Sequence, residues 1–72
     1  MTSEAKLLRV LRAERDLSQA QVAYLAGMSQ AKYSQIERGG GMLATDDQRQ
    51  AIADALEVTV DDIAWPTQPV MR

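Results

Sequence analysis

The run from Ser18 to Gly39 constrains this chain more than any other stretch. It reads as two short helices joined by a tight turn. Ser18 is a favoured N-cap residue, and Gln21 three positions later completes a capping box, in which each residue satisfies an orphan donor of the other. Leu17 and Val22 then stand at the spacing of a hydrophobic staple. Gly27 follows Leu25-Ala26, where a helix needs a left-handed closing residue that only glycine adopts without steric cost. Ser29 caps the next helix, Met28 and Tyr33 repeat the staple spacing, and Gly39 is read as ending this helix as Gly27 ends the first.

The second of these helices has two unlike faces. Tyr33, Ile36 and Glu37 share one side at i, i+3, i+4. Ala31, Ser34, Gln35 and Arg38 share the other, with Gln30 at its N-terminal tip. This outward face has no large apolar group and no acid, and its side chains can exchange hydrogen bonds with base-pair edges. The preceding helix is small on its inner side, at Ala23 and Ala26, so the two can cross closely. That is the logic of a helix-turn-helix, whose second helix enters a major groove.

Leu17-Ser18-Gln19, Leu25-Ala26-Gly27-Met28-Ser29 and Ile36-Glu37-Arg38-Gly39 resemble the helix-turn-helix of the Cro and lambda-repressor-like family, also called the XRE family. The resemblance runs over roughly residues 7 to 64. It implies an all-α fold: a compact five-helix DNA-binding domain, with the helix-turn-helix at helices 2 and 3, that binds operator DNA, usually as a homodimer. It also implies an ion pair, since relatives commonly join an arginine of helix 1 to a glutamate near the end of helix 3. Arg12 and Glu37 match those positions. A half-buried carboxylate on the inward face needs such a partner.

Seventy-two residues make one domain, read here as residues 1–65 with an extended tail at 66–72. A domain of this size buries only about 60% of its unfolded surface, so pairing with a second copy is a natural source of stability. Cysteine and histidine are both absent from the sequence. That removes a disulfide framework and thiolate metal sites, and with no triad, dyad or phosphate loop it argues against an enzyme. No metal, cofactor or small-molecule ligand is expected. No apolar run approaches membrane-spanning length, and the N-terminus lacks a signal-peptide pattern, so a cytoplasmic protein is expected, bacterial or phage given the family.

The net charge of −2 is unusual for a DNA binder, but it is polarised. Residues 1–38 hold six basic and four acidic groups, whereas residues 39–72 hold two basic and six acidic ones. The positive half contains the reading helix, and the local field governs steering more than the total charge does.

In chain order, Ser3 or Thr2 can cap a first helix running to about Arg15, with Leu7, Leu8, Val10 and Leu11 as its apolar stripe. Asp16 follows, where many relatives place glycine; aspartate tolerates a left-handed backbone better than most residues. Gly39-Gly40-Gly41-Met42-Leu43-Ala44 departs from the family pattern, and is read either as a flexible loop or as a backbone nest for a phosphate. Thr45 and Gln48 form a second capping box before a fourth helix with a stripe at Ala51, Ile52, Ala55 and Leu56. Asp46 and Arg49 stand where relatives often have leucine. Thr59 starts a short fifth helix, ended by Pro66, with Val58 and Ile63 as its staple.

The primary functional reading is a sequence-specific regulator of transcription, a repressor or controller, that binds double-stranded DNA. Gln30, Ala31, Lys32, Ser34 and Gln35 are assigned to base reading, with Lys32 either joining it or reaching a flanking phosphate. Gln19, Arg38 and Gly40 are assigned to phosphates. A two-fold dimer on a palindromic operator is expected, joined through Val60, Ile63, Ala64 and Trp65, with Val70 and Met71 of the tail. Trp65 equally fits a role in closing the protomer's own core. The second reading, favoured by the acidic balance, is a protein-interaction module of the same fold, antitoxin-like or partner-binding, with weak or no DNA binding.

Overall fold

The structure, a computed structural model, describes residues 5–39 and 44–65. Lys6–Leu7 form a short strand, β1, followed by helix α1 (Leu8–Glu14), α2 (Gln19–Ala26), α3 (Gln30–Glu37) and α4 (Asp46–Leu56). A single 3-10 turn (Val60–Asp62) then leads into a second strand, β2 (Ile63–Ala64). The strands pair in parallel, Lys6 against Ile63 and Leu7 against Ala64, and tie the two ends of the domain together.

The helix-turn-helix caps form as the residues dictate. Ser18 Oγ accepts from Gln21 N–H at 3.1 Å, and Gln21 Oε1 accepts from Ser18 N–H at 2.7 Å. Gly27 is left-handed at φ 73°, and its N–H and that of Met28 close onto Tyr24 and Ala23 carbonyls. Ser29 Oγ caps α3 through Lys32 N–H, and Thr45 with Gln48 forms a full capping box on α4. Asp16 adopts the left-handed backbone at φ 54°. Glu57 does so too, at φ 61°, as the C-cap of α4. No glycine follows Leu56 to announce that turn.

α2 is the hub, packed on both α3 and α4. Leu8, Leu11, Val22, Ala23, Tyr33, Ile36, Ile52, Ala53, Leu56 and Ile63 are buried, joined by Ala44 just before α4. Leu17, Met28, Val58, Val60 and Trp65 pack against this core from its edges.

Four expectations are corrected. The first helix starts only at Leu8: Leu7 has extended backbone (φ −64°, ψ 150°) and carries no side-chain cap, because the Lys6–Leu7 backbone pairs with β2 instead. Leu7, on β1, and Val10, on α1 but off the face that buries Leu8 and Leu11, are exposed and not part of the buried stripe, while Thr2 and Ser3 lie outside the described residues. The fifth helix is only a 3-10 turn. The β-branched Ile63 extends into β2, where its backbone pairs across the domain, so the described residues show four α-helices with a small sheet, not an all-α five-helix domain. Gly39 does not repeat Gly27. The C-cap of α3 is Arg38 at φ −84°, and Gly39 follows at φ 130°.

Candidate nucleic-acid interface

The candidate interface is built around one carboxylate. Glu37, in the last turn of α3, keeps only 7% of its side chain exposed, yet it accepts four hydrogen bonds. Arg12 Nε reaches Oε2 at 2.8 Å and Arg12 Nη2 reaches Oε1 at 3.0 Å, a bidentate clamp from α1. Gln19 Nε2, at the start of α2, donates to Oε1 at 2.9 Å, and Tyr33 Oη donates to Oε2 at 2.9 Å. The third arm of the guanidinium, Nη1, donates to the Leu17 carbonyl at 3.0 Å. Helices α1 and α2 and the loop before α2 are thus fixed to one point of α3.

The electrostatics follow from this packing. Burial pushes the Glu37 carboxyl up, but the hydrogen bonds from Arg12, Gln19 and Tyr33 outweigh it and hold it below its ordinary value. Burial, reinforced by the bond to Glu37, pushes the Tyr33 phenol well above its usual range, so it stays a donor. The bond to Glu37 likewise raises the Arg12 guanidinium, against the burial that lowers it. Such a cluster is structural: its oxygens are filled by donors, and none is left for a substrate.

With the inward face fixed, the other side of α3 is presented outward. Gln30, Ala31, Gln35 and Arg38 are exposed, and Lys32 and Ser34 are half-buried at its edges. An eight-residue helix is about 12 Å long, enough to lie across a major groove. Gln19, assigned from sequence to a phosphate, is instead half-buried with an amide hydrogen committed to Glu37. Gly40 lies outside the described residues.

The C-terminal set divides. Ile63 is in the protomer's own core. Trp65 Nε1 donates to the Val60 carbonyl at 3.2 Å, and its ring lies under the Arg49 guanidinium, 5.4 Å from the centroid. Val60 and Ala64 are half-buried, and Val70 and Met71 lie outside the described residues. Sequence reasoning missed Tyr33 and Gln19 as partners of Glu37. The i, i+4 spacing of Tyr33 and Glu37 carried a signal; Gln19, eighteen positions away, carried none.

A family profile described as a helix-turn-helix domain matches residues 5–65. This is the whole span from β1 to Trp65. The chain belongs to the helix-turn-helix domain family. The match agrees with the Cro-like resemblance, which runs over roughly residues 7 to 64. Comparison with curated proteins returns no match. Membership makes DNA the expected partner and regulation of transcription the expected setting. Among the described residues, no helix of this helix-turn-helix domain is long and apolar enough to cross a membrane. None of their acidic side chains form a group of three suited to hold a metal ion.

Proposed function

We propose that this chain is a sequence-specific regulator of transcription, a repressor or controller that binds double-stranded DNA through α3. The observation that carries this reading is the exposed polar face of α3, held outward by a four-bond clamp on its inward side. Gln30 and Gln35 read bases, since a glutamine amide can pair bidentately with adenine N6 and N7. Ala31 and Ser34 give close approach and further contacts, and Lys32 reaches a base edge or a flanking phosphate. Arg38 and Gly40 are assigned to the phosphate backbone. Gln19 supports α3 through Glu37, and any phosphate contact it makes uses its remaining amide hydrogen.

The working unit is two copies on a palindromic site. One short helix covers too few base pairs for useful specificity, whereas a dyad doubles the contacts. The C-terminal surface expected to join them is weakened, because Ile63 is buried and the Trp65 indole N–H is used within the protomer.

Selection of the preferred duplex from a random pool, followed by fluorescence anisotropy, tests the reading. Gln35→Ala should cost about 1–3 kcal/mol on the selected site and little on random DNA. Arg38→Ala should weaken both and lower the salt slope by about 1. Equal weakening by Gln35→Ala on every sequence overturns the base-reading assignment. The protein-interaction alternative draws on the net charge of −2, and absence of any salt-dependent duplex binding would overturn the DNA-binding reading in its favour.

A further inference from the structure

The charged side chains around α1 divide between two flanks of the helix. Lys6 Nζ lies 2.8 Å from the Glu14 carboxylate, and Arg15 Nη1 lies 3.6 Å from it. One acid thus answers two cations. Glu14 stands two residues beyond Arg12, about 200° round the helix from it. Arg12 is on the other flank, where it holds Glu37 of α3 and the Leu17 carbonyl. Arg9 stands three residues before Arg12. At this i, i+3 spacing two side chains share one face, with Cβ atoms about 5–6 Å apart. Arg9 is exposed, and among the described residues its guanidinium makes no hydrogen bond or ion pair.

The Arg12 flank therefore carries one uncancelled positive charge. Arg12 and Glu37 neutralise each other, and Arg9 remains. This charge adjoins the elements that frame the reading face. The Glu37 carboxylate, one helical turn of α1 away through Arg12, is held also by Gln19 at the start of α2. Arg38, exposed, directly follows Glu37 in the chain.

We propose that Arg9 binds a backbone phosphate of the duplex, flanking the base pairs read by α3. The assignment rests on the DNA-binding function proposed above and adds a contact from α1 to it. Chemistry selects the ligand. The arginine fork matches the oxygens of a phosphate, and phosphate contacts set register without reading sequence. A chain of net charge −2 draws its attraction for DNA from a small number of local cations. Of the four cations between residues 5 and 15, Lys6 and Arg15 are held at Glu14 and Arg12 at Glu37, which leaves Arg9.

Fluorescence anisotropy with the full chain, over a salt series on the selected duplex and on random DNA, tests the assignment. Arg9→Gln should weaken binding to both severalfold and lower the salt slope by about 1, with the urea midpoint unchanged. Arg9→Lys should keep most of the slope, because lysine also binds phosphate as a point charge. Lys6→Gln removes the same unit of charge from the other flank, and should lower the slope by under about half as much. A scan of uncharged methylphosphonates along the selected duplex then locates the contact: one flanking position should weaken binding of the wild type and leave Arg9→Gln unaffected. Equal slopes for Arg9→Gln and Lys6→Gln, or the lack of any such position, would reduce the effect to net charge and overturn the assignment. A lowered urea midpoint in Arg9→Gln would reveal a structural partner and overturn it too. A slope that responds to Arg38→Ala but not to Arg9→Gln overturns the Arg9 contact and leaves the DNA-binding reading standing, whereas a wild type that binds no duplex overturns both.

Discussion

Arg12→Ala should destabilise the domain more at neutral pH than in acid, and more than Glu37→Ala does at neutral pH. Arg12 provides two of the four hydrogen bonds on Glu37 and all of the formal positive charge there. Its removal leaves a carboxylate, 7% exposed, facing only the neutral donors Gln19 and Tyr33. Breaking a buried pair from one side costs about 3–5 kcal/mol. The two surviving donors place the expected loss near the lower end, about 3 kcal/mol. Glu37→Ala is milder, about 2 kcal/mol, because Arg12 is 21% exposed and its guanidinium can turn to water. Domain stabilities run at ~0.05–0.15 kcal/mol per residue, so either loss is a large fraction of the total for a chain this short.

The pH dependence follows from linkage. Glu37 has a depressed pKa in the folded wild type, so its contribution is present above its unfolded value, near 4.5, and is lost as pH falls through the folded value. In Arg12→Ala, burial is no longer outweighed and the carboxyl moves up, so the variant sheds its buried charge by protonation as acid is added. The difference between wild type and Arg12→Ala should therefore be smaller at about pH 3 than at pH 7. Urea unfolding followed by circular dichroism at both pH values measures it, and the double variant closes the cycle. A coupling energy indistinguishable from zero, or a difference that does not change with pH, would refute the clamp as the device that holds α3.

Four further outcomes follow from the structure. Tyr33→Phe keeps the buried ring and loses the bond to Glu37, costing about 1–3 kcal/mol in urea unfolding at pH 7; a loss under about 0.5 kcal/mol contradicts the network. Because Tyr33 has a raised folded pKa, wild-type stability should also decline as pH rises past the ordinary value of 10.0, and Tyr33→Phe should remove that part of the decline. Glu57→Gly relieves a left-handed residue and should raise the melting temperature, by about 0.5–1 kcal/mol in stability, whereas a lower melting temperature would show the side chain to be needed for packing. Gly27→Ala meets no atom within 4 Å, so its cost, about 1–2 kcal/mol, comes from the backbone at φ 73° alone, and a neutral result in calorimetry would contradict that.

The local signals of this chain were legible because each acts within a few residues. Ser18 with Gln21, Thr45 with Gln48, and Gly27 mark helix ends by hydrogen bonds and backbone freedom that need no distant partner. The spacing of Tyr33, Ile36 and Glu37 marks the inward face of α3 by helix geometry alone, and so leaves Gln30, Ala31 and Gln35 outward. The charge division between the two halves can also be read without a fold. Tertiary structure decided whatever depends on residues far apart in the chain. Lys6–Leu7 would extend α1 by local preference, but pairing with Ile63–Ala64 satisfies the same backbone groups from across the domain. That pairing also limits the last helix to a single 3-10 turn. Gln19 looks like a solvent-facing residue at a helix start until the fold places Glu37 2.9 Å from its amide. Glu57 shows no glycine signal, and the left-handed turn there is imposed by the need to return Val58 and Ile63 to the core. Hydrogen-bond partners within one turn are specified by sequence spacing, whereas partners brought together by packing are specified only by the folded chain.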